Sequence, residues 1–449
     1  MTDLRSTATE LRKLKISCLE LVEESLRIIA RLNPKLNAFL TVTAEPARAQ
    51  AVKMDAELAK GLDRGPLHGI PIAHKDLIRT QGIRTTAGSR IFAGYIPKRD
   101  AEIVSRLRQE GAVSLGKTSL HELAYGITSD NPHYGSVRNP WDPRRISGGS
   151  SGGSAVAVAT GMVLFATGTD TGGSIRIPAS FCGIVGLKPT FGRVSARGVL
   201  PLGFSQDHVG PMTRSVRDCA IAFQAMVDDP TGYVPPPDAN LRGVRIGWPK
   251  TYFFERLAPE VRDSVQRARH TAESAGARCV ELAMPDMEAL RHSASIILLV
   301  EAAAALRPYL DRRDEFGPDV LALLDKGRAV PGIDYLEAQR TRRRIGREFA
   351  RLWDQADCIF TATTPTTAPV IGENTTVLNG VSEDVRQAST RYTRGMNALG
   401  LPAISIPCGW SPAGLPIGLQ IIAPACQEDR LLRIAAAMED ALAVGRVIG

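Results

Sequence analysis

Residues that bind metals or form disulfides are few in this sequence of 449 residues, and they are scattered along it. The seven cysteines include no Cys-x-x-Cys pair, and the seven histidines include no His-Glu-x-x-His or similar spacing. Structural zinc sites and disulfide frameworks need such spacings. The sequence therefore predicts no metal site, no cofactor and no disulfide framework. It favours a reducing compartment, which we expect to be the cytoplasm.

Long apolar runs are missing as well. No stretch of about 18 uninterrupted apolar residues occurs, so no transmembrane helix is predicted. Residues 1–15 are polar and include acids, unlike a signal peptide. Lys and Arg outnumber Asp and Glu by 55 to 47. The one dense basic run, residues 340–347, fits the solvated face of a helix, and no motif indicates direct binding of nucleic acid.

Helix-like and strand-like segments alternate along the chain. Apolar spacing predicts helices over residues 5–32, 44–61, 100–110, 155–161 and 427–443, and strands over 69–73, 112–115, 163–167, 358–362, 403–407 and 417–423. Such alternation is typical of an α/β sandwich around a mostly buried sheet. The Pro- and Gly-rich stretch 229–237 predicts a joint between a glycine-loop half and a helical half.

Three features stand out as candidates for chemistry. Lys75 ends an apolar strand. Two loops of small residues, 146–154 and 169–174, follow it, and each contains a serine, Ser150 and Ser174.

Two better-known motifs fit this chain poorly. Residues 111–118 match the Gly-x-x-x-x-Gly-Lys-Thr pattern of a phosphate-binding loop, but a helix precedes the first glycine and the predicted strand lies inside the pattern. Residues 148–153 contain Gly-x-Ser-x-Gly twice, centred on Ser150 and Ser151. The α/β-hydrolase elbow with that pattern needs a preceding strand and a late histidine. Turn residues precede this loop and no histidine follows His292, so this mechanism remains only a second choice.

Residues 65–212 resemble the amidase-signature family. The resemblance continues in residues 365–369, 400–407 and 414–422, so it covers most of the chain. It implies a large mixed β-sheet covered by helices on both faces. It also implies a serine amidohydrolase in which Ser174 is the nucleophile, Ser150, after a cis peptide bond, relays protons, and Lys75 is the base.

The chemistry explains why these residue types are used. A serine hydroxyl is a weak nucleophile and needs a base, and lysine serves as one only when burial keeps it uncharged. The glycines let the backbone N–H groups of Thr171, Gly172, Gly173 and Ser174 turn toward one point and bind the oxyanion of a tetrahedral intermediate. We expect hydrolysis of a linear carboxamide through an acyl-enzyme.

Further residues have supporting roles in this interpretation. Asp170 and Arg176 flank the nucleophile and are expected to hold its loop, with Ser151 in the same network. The family segment beside the acyl pocket corresponds to Ile127, Thr128 and Ser129, which are therefore candidates for substrate binding.

The resemblance leaves two branches of the family open. The A subunit of a glutamyl-tRNA(Gln) or aspartyl-tRNA(Asn) amidotransferase shares the triad and obtains ammonia from glutamine. In such subunits an aspartate that recognises the free amino group precedes the segment matching 397–402. Thr390 occupies that position here, and no acid lies between Asp384 and Pro402. The sequence therefore favours a stand-alone amidase acting on a small non-amino-acid amide.

We expect the whole chain, residues 1–449, to form one domain. Its parts would be N-terminal helices over 1–62, a signature core over 65–222, a variable helical half over 240–350, and strands and a helix over 355–449 that return to the core. The sequence leaves open whether the chain forms a homo-oligomer or needs a partner protein.

Overall fold

The computed structural model describes residues 3–228 and 239–445. The predicted joint at 229–237 therefore lies outside the described residues. The first half of the described chain contains α1 (Leu4–Arg12), α2 (Cys18–Leu36), β1 (Phe39–Val42), α3 (Ala44–Ala59), β2 (Pro71–Lys75), α4 (Glu102–Gln109), β3 (Val113–Thr118), α5 (Gly152–Ala159), β4 (Phe165–Asp170), α6 (Arg176–Cys182), β5 (Val185–Lys188), β6 (His208–Thr213) and α7 (Val216–Met226).

The second half is richer in long helices. It contains β7 (Arg245–Pro249), α8 (Pro259–Ser274), β8 (Arg278–Leu282), α9 (Met287–Ala305), α10 (Pro318–Ala329), α11 (Gly332–Ala350), β9 (Cys358–Ala362), β10 (Thr375–Leu378), β11 (Val381–Asp384), α12 (Val385–Thr390), α13 (Arg394–Ala398), β12 (Ala403–Trp410), β13 (Pro416–Ile422) and α14 (Glu428–Leu442).

Eleven strands form one sheet in the order β1-β3-β2-β4-β6-β5-β12-β13-β9-β7-β8, and β10 pairs with β11 separately. The sheet is mixed, because β2 runs parallel to β3 and β4 whereas β4 and β6 are antiparallel. Every residue of β2, β4 and β13 is buried. Since side chains alternate between the faces of a strand, helices must cover both faces. The predicted α/β fold is confirmed.

The N-terminal helix prediction is wrong in two respects. The helix does not end before Asn33 and Pro34, because α2 continues through Pro34 to Leu36. A single helix over 5–32 is expected from the apolar spacing, but the chain breaks between α1 and α2. Leu14 has a left-handed backbone and an exposed side chain. Ser17 then starts α2 through a capping box with Glu20, and such a box supplies partners for the first backbone N–H groups of a helix. Local capping at Ser17 therefore outweighs the longer apolar period.

The parallel pairing of β2 and β4 brings the candidate residues together. Ala73 pairs with Ala166 and His74 with Thr167, so the carboxyl ends of both strands lie at the same edge of the sheet. Lys75 is the last residue of β2, and the loop 169–174 begins at the end of β4. Ligands of α/β sheets bind outside this edge. No helix in the described part of the chain is long and apolar enough to cross a membrane.

Candidate active site

Lys75 is fully buried at the end of β2. Its Nζ lies 2.7 Å from Ser150 Oγ and 2.7 Å from Thr169 Oγ1. Among the described residues no carboxylate lies within ion-pair distance of this amine. Burial therefore lowers the pKa of Lys75 well below its usual value of 10.5, although the more distant Asp170 and Asp207 act in the opposite direction.

The two small-residue loops are fastened to each other by backbone and hydroxyl contacts. The Gly149–Ser150 peptide bond is cis, as the family resemblance implies. Ser151 Oγ donates to the carbonyl of Thr169 at 3.1 Å and accepts from its N–H at 3.2 Å. The Ser151 N–H donates to the carbonyl of Ser174 at 3.2 Å. Ser151 thus connects the two loops, as its predicted holding role requires.

Ser174 lies between the buried pair and open space. Its side chain is 6% exposed, whereas Lys75 and Ser150 are fully buried. Ser174 lines a cleft, called here the Ser174 cleft, with Ile127, Gly172, Leu298 and Arg394 among its other walls. Within the described chain, Ser174 Oγ makes no hydrogen bond, so it does not bond to Ser150 Oγ directly. Catalytic hydrogen bonds of unliganded sites are often formed only when substrate binds.

Asp170 and Arg176 form a fully buried ion pair behind the nucleophile. The guanidinium contacts both carboxylate oxygens, at 2.9 and 3.0 Å. Burial raises the pKa of Asp170, but the charge and hydrogen bonds of Arg176 outweigh burial and hold it below its usual range. Arg176 also donates to Asn397 Oδ1 at 2.7 Å and to Gln420 Oε1 at 2.7 Å. The pair therefore ties β4 and α6 to α13 and β13.

One of the four predicted oxyanion donors is already in use. The N–H of Gly173 donates to Asp170 Oδ1 at 2.7 Å, which corrects the prediction for this residue. The backbone N–H groups of Thr171, Gly172 and Ser174 donate no hydrogen bond within the described chain. Gly173 has a φ of +130°, a conformation that favours glycine, and this turn directs its N–H inward to the carboxylate.

The predicted substrate segment 127–129 divides between two roles. Ile127 lines the Ser174 cleft, as expected. Thr128 and Ser129 do not line it. Thr128 Oγ1 contacts His121 Nδ1 at 3.2 Å, and Ser129 Oγ donates to the carbonyl of Ser150 at 3.4 Å and accepts from the Gly152 N–H at 3.2 Å. The left-handed backbone of Ser129 turns its side chain toward the loop rather than the cleft.

Several residues at the site have no role in the sequence analysis. Thr169 contacts the lysine, Asn397 donates to the carbonyl and carboxylate of Asp170 at 2.7 and 2.8 Å, and Asp207 accepts from Thr171 Oγ1 at 2.6 Å. Thr169 lies in the segment 65–212 that carries the resemblance, and Asn397 begins the segment 397–402 that matches the amidotransferase subunits, so both had a usable signal. Asp207 also lies within residues 65–212, but no quoted motif of that segment includes it.

The phosphate-loop pattern at 111–118 has a structural explanation. Its residues 113–118 form β3, and Lys117 is fully buried. The Lys117 ammonium donates to the carbonyl of Ile78 and to the hydroxyls of Thr80 and Thr85. A lysine whose ammonium group is hydrogen-bonded inside the core in this way cannot reach a bound phosphate.

The described residues contain no group of three or more His, Cys, Asp or Glu side chains that could hold a metal ion. The site consists instead of hydroxyls, an amine and backbone N–H groups. The sequence model of the Amidase family matches residues 20–432.

The chain belongs to the amidase family.

Similar proteins align with almost the whole length of this chain. The A subunit of glutamyl-tRNA(Gln) amidotransferase from Heliobacterium modesticaldum is 38% identical over 476 aligned residues, covering 97% of this chain and 96% of that protein. A chain from a vestigial complex, solved with an inhibitor in work on the origins of an s-triazine catabolic enzyme, is 36% identical. Its TM-score is 0.94, with 99% of this chain and 100% of that chain covered.

A third similar protein carries the name of a peptide amidase. Native peptide amidase from Stenotrophomonas maltophilia is 31% identical with a TM-score of 0.85, covering 100% of this chain and 98% of that one. The family resemblance seen in the sequence is therefore confirmed, and this amidase is an enzyme of the amidase-signature type. The sequence relatives carry the name of the amidotransferase, and they support that alternative better than the stand-alone amidase that the sequence analysis favours.

Proposed function

We propose that the chain hydrolyses a carboxamide through an acyl-enzyme on Ser174, with Lys75 as base and Ser150 as proton relay. The observation that carries this proposal is the buried Lys75 amine, 2.7 Å from Ser150 Oγ and without a carboxylate partner among the described residues. Such surroundings favour the neutral form of lysine, which has a lone pair to accept a proton.

The steps follow from this arrangement. Lys75 accepts the proton of Ser150, Ser150 accepts that of Ser174, and Ser174 Oγ attacks the amide carbon. The N–H groups of Thr171, Gly172 and Ser174 stabilise the oxyanion. The proton returns through Ser150 to the amide nitrogen, the C–N bond breaks, and ammonia or an amine leaves. Water then attacks the ester by the same relay and releases the carboxylate.

Trapping the intermediate tests this mechanism. Acid quenching during turnover of a slowly hydrolysed amide, followed by digestion and mass spectrometry, should find the acyl group on the peptide that contains Ser174. Ser174→Ala should carry none, and Ser180→Ala, which alters a buried serine on α6 outside the triad, should still be acylated. Acylation of another residue, or none in a turning-over enzyme, would refute the role of Ser174.

A second candidate function is that of the A subunit of a glutamyl-tRNA(Gln) amidotransferase. It is favoured by the 38% identity over nearly the whole of both proteins. Such a protein would use the same triad to release ammonia from glutamine. Against it, none of the residues that line the Ser174 cleft is an aspartate or a glutamate, so the ammonium group of glutamine has no carboxylate partner there.

Glutaminase assays separate the two candidates. The isolated chain should hydrolyse simple amides and should turn over glutamine poorly, with or without candidate partner proteins. Efficient glutamine turnover that appears only when those partners are added would establish the amidotransferase function instead.

A further inference from the structure

The Ser174 cleft has an unbalanced charge. Its charged lining residues are Lys326, Arg386 and Arg394, all cationic. The Arg386 guanidinium has an acidic partner, since it donates to Asp319 Oδ2 at 3.0 Å. Among the described residues, Lys326 and Arg394 have no carboxylate within ion-pair distance. The cleft therefore carries uncompensated positive charge beside the nucleophile.

Arg394 differs from the neighbouring arginines in this respect. Arg391, three residues earlier, contacts Glu288 at 2.6 Å and Glu383 at 2.7 Å, and Arg291 contacts Glu288 at 2.7 Å. Within the described parts of the chain, the hydrogen bond that Arg394 donates goes to a neutral hydroxyl, Ser295 Oγ, at 2.6 Å. Its Nε is buried and has no hydrogen-bond partner among the described residues. Burial lowers the pKa of Arg394 to about 10, an effect that a bound anion would reverse.

The Arg394 guanidinium lies next to the catalytic loop. A Cβ atom added to Gly172 would lie 3.3 Å from Arg394 Nε, so the loop backbone and the guanidinium are in close contact. Gly172 is two residues from Ser174. Arg394 and Ser174 also line the same cleft, so one small molecule in that cleft can contact both residues.

The Tyr125 hydroxyl is a second hydrogen-bond donor without a partner among the described residues that line the Ser174 cleft. Its side chain is 5% exposed and lines the Ser174 cleft, yet its hydroxyl has no hydrogen-bond partner within the described chain. Buried polar groups are nearly always paired in folded proteins, so this hydroxyl is available to pair with a bound group. The Arg394 guanidinium and the Tyr125 hydroxyl, one charged and one neutral donor, are complementary to a carboxylate.

We propose that the amide substrate carries a carboxylate on its acyl part, and that Arg394 and Tyr125 bind this carboxylate while Ser174 attacks the amide. This inference rests on the proposed function and specifies its substrate class. It also separates glutamine from its deaminated analogue, because the cleft offers a partner for a carboxylate but none for an α-ammonium group.

A matched series of amides tests the proposal. We would measure kcat/KM for malonamate, succinamate and glutaramate, for the neutral diamide of each length, and for glutamine. The best monocarboxylate should exceed its neutral diamide by about 30-fold, the size of effect expected for a buried charge-paired contact. Glutaramate should exceed glutamine, from which it differs only by the ammonium group.

Variants assign that preference to Arg394. Arg394→Gln should abolish the preference for the anionic amide while the neutral diamide is still hydrolysed, and Arg394→Lys should keep part of it. A merely structural role would slow both substrates alike. Tyr125→Phe gives a second, smaller loss of preference if Arg394→Gln fails to fold. Arg340→Gln removes an exposed charge on α11 and should leave the preference unchanged.

The failure of this inference is distinguishable from the failure of the proposed function. Ser174-dependent hydrolysis of neutral and anionic amides at equal rates would overturn the inference and leave the amidase function standing. If no amide of the series is hydrolysed, binding of glutarate to Ser174→Ala, measured by calorimetry, replaces turnover. Binding that Arg394→Gln weakens about 30-fold would support the anion site, and binding that it leaves unchanged, or no binding, would overturn it.

Discussion

At the scale of single residues, the proposed chemistry depends on a lysine without a counter-charge. A carboxylate near Lys75 would raise its pKa and leave it protonated at neutral pH. Lys75 instead contacts the hydroxyls of Ser150 and Thr169. A neutral amine donates one hydrogen to Thr169 Oγ1 and retains its lone pair for Ser150. The same burial that prepares the base also costs stability.

We expect Lys75→Met to lower kcat/KM by about three orders of magnitude or more, because the relay loses its proton acceptor. Lys60→Met, at the exposed end of α3, should have no effect. Replacing His270 or His292 should also leave activity intact, and loss of activity there would favour a histidine base. Wild-type activity should fall as the pH is lowered, because Lys75 takes up a proton. Activity that does not change with pH on the acid side would contradict a neutral lysine base.

The same variant should become more stable at neutral pH. The folded-state pKa of Lys75 is lower than its unfolded value of 10.5, so the unfolded chain binds more protons between the two values. Stability therefore rises with pH through that window. Lys75→Met removes the dependence, so its gain in melting temperature should be largest at low and neutral pH and should disappear near pH 10.5. An equal melting temperature at pH 7 would contradict this account.

At the scale of secondary-structure elements, the Asp170–Arg176 pair connects the strand before the nucleophile to the helix after it. Asp170 ends β4 and Arg176 begins α6, and Ser174 lies on the turn between them. The carboxylate also accepts the backbone N–H groups of Gly173 and Ile175, at 2.7 and 3.1 Å. The pair thus sets the shape of the turn that presents the nucleophile.

Asp170→Asn should destabilise the fold by about 3–5 kcal/mol, because it leaves the Arg176 guanidinium buried without its counter-charge. Urea unfolding would measure the loss. Glu337→Gln breaks an exposed pair with Arg340 and should cost about 1 kcal/mol or less. Similar losses of unfolding free energy in both variants would show that the buried pair stabilises the fold no more than the exposed pair does.

The position of Lys117 on β3 predicts that residues 111–118 do not bind ATP. Lys117 is directed into the core from this strand, and burial lowers its pKa to about 8. Equilibrium dialysis should therefore detect no ATP binding at residues 111–118. Micromolar binding that disappears in Lys117→Ala would show that the segment is a phosphate loop.

At the scale of the whole molecule, one sheet joins distant parts of the chain. Strands from residues 39–213, 245–282, 358–362 and 403–422 contribute to it. The proposed chemistry uses only side chains and backbone N–H groups of this framework. We therefore expect incubation with a chelator to leave amide hydrolysis unchanged. Activity that is lost to the chelator and restored by zinc would contradict the proposed mechanism.

The sequence by itself, through its resemblance to the amidase-signature family, determined the positions of the candidate triad, and its local patterns determined most of the elements that carry it. The strands ending at Lys75 and Asp170 and the loops around Ser150 and Ser174 are local features, because apolar runs and glycines specify burial and turns within a few residues. The break before α2 escaped prediction, since a capping box and an apolar period competed in the same segment.

Only the tertiary structure decided what surrounds the nucleophile. Arg394 and Asn397 lie more than 200 residues beyond Ser174 in the chain, and they reach its loop because β12 and β13 return to the centre of the sheet. The N–H of Gly173 points to Asp170 because of the turn between β4 and α6. Sequence patterns encode how an element is buried. The order of the strands decides which charged side chains come together, and we propose that these contacts determine which amide the cleft binds.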